Sequence, residues 1–376
     1  MARNQPLNIV HSESSWGWGG QEVRILTESR GMLERGHQVR VLCTPESTIF
    51  QRACEFGVPV EPVSLQKKNF SCLNAVRKWL NDNRDVNVVN THSSIDSWLF
   101  GVASRTIANR PRLVRTRHVG IPVPKNMASN WLYRSGSDFV VTCGVEIVKS
   151  LSERNGVSLN RLRSIPTGVD TQKFVPGDRL KARQELGLPT DRKLVGIVAA
   201  LRREKGHAVA CEALAQMPRD DFDFVFVGDG LSKENIENKI KELNISDRIH
   251  RVGHQQNVVP WLQALDLFVL PSYGSVEGVP QSIMQAMSCR LPVISTTAGS
   301  ICEAVDHEET GLIVAPEDSR ALADAINLLL DRDELREQYA EAGYQKAIQK
   351  FPIDFMLDRM EDVFYSVQDS QLVRAA

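Results

Sequence analysis

The chain has 376 residues, of which 42% are hydrophobic and 24% are charged. This length exceeds what one hydrophobic core usually organises, so we expect two domains, and the composition excludes a disordered or fibrous protein. The formal net charge is only −1, but it hides an asymmetry between the halves of the chain.

Basic residues are concentrated in the first half. Residues 1–172 contain 22 Lys and Arg against 14 Asp and Glu, whereas the remainder contains 23 against 32. Between Ser97 and Ser137 there is no acidic residue, and this segment predicts a basic face on the first domain. Its basic residues are Arg105, Arg110, Arg112, Arg115, Arg117, Lys125 and Arg134.

Targeting and redox features point to the cytoplasm. The first residues lack the apolar core of a signal peptide, and no apolar run approaches the roughly 18 residues of a spanning helix. The seven cysteines include no Cys-x-x-Cys pair. This pattern is typical of reduced thiols rather than of a disulfide frame or a zinc site.

The first half alternates short apolar runs with helical patterns, which predicts a parallel sheet covered on both faces. The first helix follows Gly20, with Val23, Leu26, Met32 and Leu33 near a 3.6-residue period and Gly36 as its stop. The predicted strands lie in LNIVHSE, HQVRVLCTP, VNVVNTHSS, PRLVRTRHV and DFVVTCG.

The second half repeats this alternation, so we expect a second doubly wound domain. Its predicted strands lie in KLVGIVAAL, DFDFVFVG, RIHRVGH, LDLFVLPS, LPVISTT and TGLIVAPED. A Pro- and Gly-rich segment near 168–178 predicts the linker, and the cleft between the domains is the expected ligand site. The predicted boundaries are 1–170, 171–352, and 353–376 for a last helix that returns to the first domain.

Two segments offer groups for binding an anion. Gly17, Gly19 and Gly20 lie between the first strand and the first helix, where they serve either phosphate contact or only the geometry of the turn. In VAALRREKGH, the residues Arg202, Arg203 and Lys205 are predicted at the start of a helix. Cations there oppose the helix dipole, so they favour an anionic partner such as a diphosphate.

The most informative stretch is LFVLPSYGSVEGVPQSIMQAMSCRLPVIST. It predicts a buried strand, a turn, and Glu277 at the mouth of a helix that carries Gln285. Because these residues are a little over two helical turns apart, we expect them to flank one helix face. Backbone amides of Val279 to Ser282 at the helix start suit a phosphate.

Other candidate residues are weaker. His118 ends a strand at the carboxyl edge where doubly wound sheets bind ligands, although a lone histidine is more often structural. The triplets Asp221-Phe222-Asp223 and Asp331-Arg332-Asp333 are predicted not to bind metal, because one leads into the far end of a strand and the other joins two helices. We therefore predict no metal site.

Taken in order along the chain, these segments resemble glycosyltransferase family 4, of the bacterial surface-polysaccharide or lipopolysaccharide type. The resemblance covers nearly the whole chain. The matching segments are WGGQE, RGHQVRV, RTRH, IPTGVD, EKG, VGDG, RVGH, VLPS, EGVPQSIMQAM, PVIST and TGLIVAP. It implies an α/β fold of the GT-B type, with two facing Rossmann-like domains, and a retaining mechanism.

The resemblance also implies roles for particular residues. His118 would face the transferred sugar and Glu277 would hold its hydroxyls, with Gln285 where the family has a second acid expected on the ribose. The other residues implied in donor binding are Gly19, Gly20, Arg202, Lys205, Arg251, Val252, Gly278, Val279, Pro280, Gln281 and Ser282. Three departures stand out. Gln285 is an amide, and Ala200 stands where the family often has arginine, which Arg202 or Arg203 could replace. Arg290 and Ser300 stand where glycines are frequent in the family, so no ligand role is assigned to those turns.

The resulting hypothesis is a metal-independent transferase without a cofactor. The substrates would be a nucleoside-diphosphate sugar and a glycan or lipid-linked glycan acceptor. The basic first domain and the tryptophans Trp16, Trp18 and Trp131 predict peripheral contact with an anionic membrane surface, on the inner face of the cytoplasmic membrane. No nucleic-acid recognition motif accompanies the basic face.

Two other classes of function stay open at this point. A nucleotide-sugar epimerase shares the two-domain fold but needs base residues on both faces of the sugar. A non-catalytic sugar-nucleotide-binding subunit is compatible with the departures at Gln285 and Ala200.

Overall fold

The computed structural model describes residues 5–274 and 277–369. The chain forms two compact units. One runs to Gly168 and resumes at Asp354, and the other is Val169–Ile353. Within the described residues, no helix combines the length and apolar character needed to span a bilayer.

The first unit is built on a seven-stranded parallel sheet with the order β3-β2-β1-β4-β5-β6-β7. The central strands are almost wholly buried, as expected for a sheet with helices on both faces. The strands are β1 (Asn8–Glu13), β2 (Gln38–Cys43), β3 (Val60–Pro62), β4 (Val88–Thr91), β5 (Arg112–Arg117), β6 (Phe139–Thr142) and β7 (Leu162–Ser164).

The crossovers of this unit are helical, and its last helix comes from the end of the chain. The segment after α5 continues as a π-helix over Leu132–Gly136. The helices are α1 (Gly20–Glu34), α2 (Thr48–Arg52), α3 (Phe70–Asp82), α4 (Ser94–Ser104), α5 (Met127–Trp131), α6 (Val145–Asn155) and, at the end of the chain, α14 (Ile353–Gln368).

Helix α1 ends where the sequence predicts, because Gly36 adopts a left-handed φ of 87° just beyond it. The predicted apolar face is only partly right. Leu26 and Met32 are fully buried, but so are the charged residues Arg24 and Glu28. The apolar period does not predict that Arg24 and Glu28 are buried, because these side chains contact each other and polar groups of other elements in the unit.

Helix α14 packs on α1, which confirms the predicted return of the C-terminal helix. Arg35 forms ion pairs with Glu361 at 2.8 Å and Asp358 at 2.7 Å. A Cβ atom added to Gly31 would lie 2.3 Å from Leu357 Cδ1, so the absence of a side chain at Gly31 allows the two helices to approach closely.

The second unit has a six-stranded parallel sheet with the order β10-β9-β8-β11-β12-β13, as the predicted second doubly wound domain requires. Its strands are β8 (Lys193–Val198), β9 (Phe222–Val227), β10 (Ile249–Gly253), β11 (Leu267–Leu270), β12 (Val293–Thr296) and β13 (Gly311–Val314). Its helices are α7 (Arg179–Leu186), α8 (His207–Gln216), α9 (Lys233–Glu242), α10 (Val259–Gln263), α11 (Gln281–Ser288), α12 (Ser319–Asp331) and α13 (Asp333–Lys350).

Candidate active site

An ion pair between Lys205 and Glu277 is the centre of the predicted donor site in the second unit. Lys205 Nζ lies 2.6 Å from Glu277 Oε1, and the hydroxyl of Ser272 donates to the same oxygen at 3.0 Å. The side chains are only 20% and 10% exposed, so the pair is shielded from water more than a surface ion pair is. The structure therefore brings together two residues that lie far apart in sequence.

Two glycines allow the backbone to close around this pair. Gly206, next to Lys205, has a φ of 75°, and a Cβ atom there would lie 1.9 Å from the carbonyl oxygen of Pro271. Gly299 has a φ of 56°, and its Cβ would lie 2.1 Å from the carbonyl oxygen of Glu277. Both positions require glycine for conformation and for space.

The prediction that Glu277 and Gln285 flank one helix face is wrong. Helix α11 begins only at Gln281, with Pro280 as its N-cap residue, so Glu277 lies in the preceding loop. Proline has no backbone N–H to donate, so the run of amides expected from Val279 to Ser282 is interrupted at Pro280. Gln285 lies in the second turn and is partly exposed.

Several predicted donor-binding residues follow Glu277 directly in sequence, in the loop before α11 and at the start of that helix. Val279 is buried, whereas Gly278 and Ser282 are partly exposed. Gln281 opens the helix and is also partly exposed. The positive end of the α11 dipole is thus close in sequence to Glu277.

The arginines before α8 are not at a helix start, which corrects a second prediction. Helix α8 begins at His207, after a short 3-10 turn over Arg203–Lys205. Arg202 is exposed in the loop before that turn, and Arg203 Nε donates to the hydroxyl of Tyr273 at 3.2 Å. These cations therefore lie in the loop and the 3-10 turn before α8, and not in the first turn of an α-helix.

Arg251 and Val252 lie in β10 at the edge of the sheet. Arg251 is about half exposed, and its guanidinium lies 3.7 Å from Glu237. The side chain of Gln255 donates to the carbonyl oxygen of Val252 at 2.8 Å. Their predicted position beside the base stays a prediction.

In the first unit, Gly19 is the N-cap residue of α1 and Gly20 is its first residue. Gly19 has extended backbone angles, and a Cβ added to it would meet nothing closer than Glu22 Oε2 at 3.7 Å. The fold itself therefore leaves room at Gly19. Phosphate contact by this segment stays a prediction.

His118 follows β5 directly, at the carboxyl edge of the sheet where the sequence predicts it. Its Nε2 lies 2.9 Å from Nδ1 of His92, and its Nδ1 lies 3.6 Å from the sulfur of Cys143. Burial, with a further contribution from Arg24, lowers the pKa of His118 well below its ordinary value, so the ring is neutral. Both ring nitrogens are engaged inside the unit.

Sequence reasoning missed His11 and His92, which lie beside His118 in the structure. His11 lies within β1, and His92 directly follows β4. Strands β1, β4 and β5 are neighbours in the sheet, so residues near their carboxyl ends meet at one edge. A histidine near the end of each of three predicted strands was the available signal, but the strand order was needed to use it.

Part of the predicted basic face is internal, whereas Arg105, Lys125 and Arg134 are exposed. Arg115 is only 4% exposed and lies over the ring of Tyr133, with 4.5 Å from the guanidinium carbon to the ring centroid. Arg117 donates to the hydroxyl of Tyr133 at 2.7 Å, and Arg110 forms a bidentate pair with Asp138 at 2.6 and 2.7 Å. These side chains hold the unit together rather than forming an exposed charged face.

The predicted exposure of the three tryptophans also needs correction. Trp16 is 50% exposed. The guanidinium of Arg52 covers Trp18 at 4.0 Å from the ring centroid, and Trp131 stacks on Trp98 with 5.5 Å between centroids. Trp16 is therefore exposed, whereas Trp18 and Trp131 are partly buried.

The two Asp-x-Asp triplets lie where the sequence predicts, at the start of β9 and between α12 and α13. All four carboxylates are paired with basic side chains. The pairs are Asp221–Arg219 at 2.6 Å, Asp223–Arg192 at 2.8 Å, Asp331–Arg219 at 2.8 Å and Asp333–Lys193 at 2.8 Å. Over residues 5–274 and 277–369, no group of three or more His, Cys, Asp or Glu is arranged to hold a metal ion.

Two family models match the chain, one on each half. The model described as Glycosyltransferase Family 4 matches residues 18–173, and the model of glycosyl transferases group 1 matches residues 178–346. Both describe transferases, which favours a transferase over the epimerase and the non-catalytic subunit.

Two relatives with curated names are glycosyltransferases. The lipopolysaccharide core biosynthesis mannosyltransferase LpsB of Rhizobium meliloti is 32% identical over 198 residues, which is 50% of this chain and 56% of that protein. The D-inositol 3-phosphate glycosyltransferase of Xylanimonas cellulosilytica is 26% identical over 92% of this chain and 91% of that protein. This chain thus aligns with little more than half the length of LpsB.

Solved structures share the fold over almost the whole chain. Anabaena Alr3699/HepE in complex with UDP has a TM-score of 0.86 at 20% identity, covering 96% of this chain and 100% of that one. WaaG, a glycosyltransferase involved in lipopolysaccharide biosynthesis, has a TM-score of 0.71 at 15% identity, covering 95% and 99%. The fold class is therefore GT-B, as the resemblance implies.

Proposed function

This chain belongs to the family 4 glycosyltransferases, and from that premise we propose that it moves a hexose-type sugar from a nucleoside-diphosphate sugar to a hydroxyl group of a glycan or lipid-linked glycan, with retention of configuration. The named relatives and structural neighbours support a surface-polysaccharide or lipopolysaccharide setting, because LpsB and WaaG act there.

The observation that carries this proposal is the shielded ion pair between Lys205 and Glu277. An ammonium group and a carboxylate 2.6 Å apart, next to a helix N-terminus, suit a ligand that combines phosphates with hydroxyls. In this assignment Lys205 contacts the diphosphate, and Glu277 accepts hydrogen bonds from the hydroxyls of the sugar. A nucleoside-diphosphate sugar contains both groups within one molecule.

We assign the rest of the donor site as the resemblance implies, with Arg202 in place of the arginine that the family often has at the position of Ala200. Arg202 contacts the phosphates, and Gln285 contacts the ribose with one accepting and one donating group in place of a carboxylate. The backbone of 278–282 meets the diphosphate, except at Pro280, and Arg251 and Val252 lie beside the base. For Gly19, Gly20 and His118 of the first unit, contact with the donor stays a prediction.

The proposed reaction is a displacement at the anomeric carbon. The bond from that carbon to the diphosphate oxygen breaks, and the bond to the acceptor oxygen forms on the same face, which gives retention. The proton of the acceptor hydroxyl passes to the departing phosphate oxygen. Lys205, Arg202 and the N-terminus of α11 stabilise the charge that develops on this group, so the proposal includes no metal ion and no cofactor.

We also propose peripheral contact of the first unit with an anionic membrane surface in the cytoplasm, which would bring a lipid-linked acceptor to the enzyme. Its support is now one part of the predicted segment. Val119, Ile121 and Met127 are 41%, 54% and 90% exposed, and the exposed Lys125 lies among them in sequence. Apolar side chains beside a basic one suit the interface of an anionic bilayer.

Sedimentation with vesicles tests this contact. Binding is expected to increase with the fraction of anionic lipid, to fall with salt, and to weaken in the double variant Met127→Ser, Lys125→Gln. Leu231→Ser, at a 99% exposed apolar position of the second unit, is the matched control and should not change binding. Binding that ignores anionic lipid and salt would contradict the proposal.

A donor screen tests the proposed activity. UDP-, GDP- and ADP-sugars are each added to the protein, the thermal midpoint is recorded, and consumption of the donor is followed by mass spectrometry. A donor present at about a hundred times its Kd stabilises the folded protein by about 2.7 kcal/mol. We expect one nucleotide class to raise the midpoint and to be consumed with a glycan acceptor. A donor that binds but stays intact with every acceptor would favour a binding subunit.

A further inference from the structure

Three histidines of the first unit form a continuous row of hydrogen bonds. His118 Nε2 lies 2.9 Å from His92 Nδ1, and His92 Nε2 lies 2.9 Å from His11 Nδ1. Successive rings are stacked, with 5.2 Å between centroids in both pairs. The row starts at the edge of the sheet and ends inside the unit, where His11 is fully buried.

Charged and thiol groups lie at the two ends of this row. At the inner end, His11 Nε2 faces Glu28 Oε1 at 3.9 Å. At the outer end, His118 Nδ1 faces the sulfur of Cys143 at 3.6 Å. Arg24 connects the ends, with Nε 3.5 Å from Glu28 Oε2 and Nη1 3.1 Å from the sulfur. These groups belong to β1, α1 and the segments after β4, β5 and β6.

All three rings are neutral near pH 7. Burial is the main cause and Arg24 adds to it. The pKa of His11 falls to about 3, and the pKa values of His92 and His118 fall well below the ordinary value. A neutral imidazole has one N–H donor and one acceptor nitrogen. The two hydrogen bonds therefore allow the whole row only two orders of protons.

The inner end selects between these two orders. Both oxygens of Glu28 accept hydrogen bonds, Oε1 from Asn90 at 3.3 Å and Oε2 from Arg24, although burial raises the pKa of this carboxyl group. His11 Nε2 lies 3.9 Å from Oε1, beyond hydrogen-bond distance, and has no hydrogen-bond partner among the described residues. A lone pair on Nε2 would face two oxygens that already act as acceptors, so we place the proton of His11 on Nε2. His11 Nδ1 is then an acceptor, His92 donates from Nε2, and His118 donates from Nε2 to His92 Nδ1.

The outer end agrees with this order. Burial raises the pKa of Cys143, so its thiol keeps its proton. The S–H group can donate to His118 Nδ1, which this order leaves as an acceptor, while Arg24 donates to the sulfur. In the reverse order His118 Nδ1 would instead donate to the sulfur, which already accepts from Arg24, and a lone pair of His11 would face a carboxyl oxygen.

We propose that His11 and His92 are positioning residues of the transfer site, which hold His118 as the Nε2–H tautomer with both ring nitrogens turned into the protein. This inference rests on the proposed function only in placing His118 near the transferred sugar. His118 then acts through its main chain and the carbon edge of its ring, not as a proton donor or acceptor to the substrate.

Nitrogen-15 NMR of histidine-labelled protein at pH 7 tests the proton order without any activity. We expect His11, His92 and His118, assigned by substitution, to show a protonated Nε2 and an unprotonated Nδ1. Protonated Nδ1 atoms or averaged signals in the row would overturn the inference. This result is independent of whether any sugar donor is found.

Kinetics test the positioning role once a donor is known. Loss of a residue that orients a site residue typically lowers activity about 10- to 100-fold. We expect His92→Leu to lower kcat by about this factor with a donor KM within about twofold. His92→Gln should recover part of kcat, because an amide can both donate and accept.

The matched control is His37, another buried histidine of the first unit. It accepts from the N–H of Leu7 at 3.1 Å and contacts Glu361 at 3.1 Å, away from the row. His37→Leu should lower stability but leave kcat unchanged. A normal kcat in His92→Leu, or equal losses in His92→Leu and His37→Leu, would overturn the inference. If His92→Leu does not fold, His92→Gln should still alter the nitrogen-15 signals of His118, and unchanged signals would contradict the proposed row.

Discussion

The two units share a parallel-sheet architecture but position their candidate site residues in different ways. In the first unit, His118 is held by a buried polar network that reaches from α1 through β1 to the segment after β4. In the second, Lys205 and Glu277 lie on loops after β8 and β11, held by one ion pair and by glycines that allow close backbone contacts. Hydrogen bonds to buried side chains hold His118 in the first unit. In the second unit, close backbone contacts at Gly206 and Gly299 position Lys205 and Glu277.

The largest effect that this comparison predicts is on catalysis in the second unit. Glu277→Gln removes the charge that pairs with Lys205 and accepts sugar hydroxyls. Hydrogen bonds to charged groups are worth about 1.5–3 kcal/mol each, so kcat/KM should fall about a hundredfold or more. Initial rates of donor consumption measure this. Glu341→Gln, which removes an exposed carboxylate 2.8 Å from Arg290 in the same unit, should leave the rate unchanged. A near-normal rate for Glu277→Gln would remove it from the site.

A second prediction addresses the backbone of the Lys205 loop. Gly206→Ala places a Cβ 1.9 Å from the carbonyl oxygen of Pro271 at a left-handed φ. We expect a loss of about 2–3 kcal/mol in the free energy of unfolding, together with weaker donor binding. Urea denaturation and titration with the donor measure the two effects.

Gly187→Ala is the matched control for that variant. Gly187 has a similar φ of 66°, but a Cβ added there meets nothing within 4 Å. Its substitution should cost only the conformational strain, about 1 kcal/mol, and leave donor binding intact. Equal losses in the two variants would show that close backbone contact is not what shapes the Lys205 loop.

Sequence patterns were sufficient for most of the fold. Apolar runs predict the central strands, because a strand with helices on both faces of its sheet has apolar side chains on both sides. The three-residue edge strands β3 and β7 were missed, since Val-Glu-Pro and Leu-Arg-Ser carry too little apolar pattern to be distinguished from loops. Helix α1 was found, but its buried Arg24 and Glu28 were not, because polar partners do not follow an apolar period.

The same reasons explain which site residues could be found. Lys205 and Glu277 each belong to a short local segment, so sequence alone could nominate them, although the start of α11 was misplaced. The histidine row depends on residues from three strands that are neighbours in space but not in sequence. Nothing in the local sequence around His11 distinguishes it from other core positions.

The last prediction concerns His207 of the second unit. Among the described residues, neither of its buried ring nitrogens has a hydrogen-bond partner, whereas in the histidine row of the first unit only His11 Nε2 lacks one. Burial, and then Lys205, lower the pKa of His207 to about 3. The unfolded chain binds this proton below the ordinary pKa of 6.5 and the folded chain does not, so its contribution to stability is lost as the pH falls from 6.5 towards 3.

Comparison with His207→Leu isolates this contribution. The free energy of unfolding of the wild type relative to the variant should fall by about 2 kcal/mol between pH 8 and pH 5, because each pH unit below 6.5 costs about 1.4 kcal/mol. Urea denaturation at the two pH values measures it. A difference that does not change with pH would mean that His207 binds its proton with the same pKa in the folded protein as in the unfolded chain, and would contradict the prediction.

Proton NMR of one reaction shows whether this protein transfers a sugar with retention and without a metal ion. The protein is mixed with the donor found in the screen, an acceptor and EDTA, and the anomeric signals are followed over time. We expect one nucleoside diphosphate released for each glycoside formed, and a glycoside with the anomeric configuration of the donor. An inverted product, an epimerised sugar nucleotide, or transfer that stops in EDTA would contradict the account.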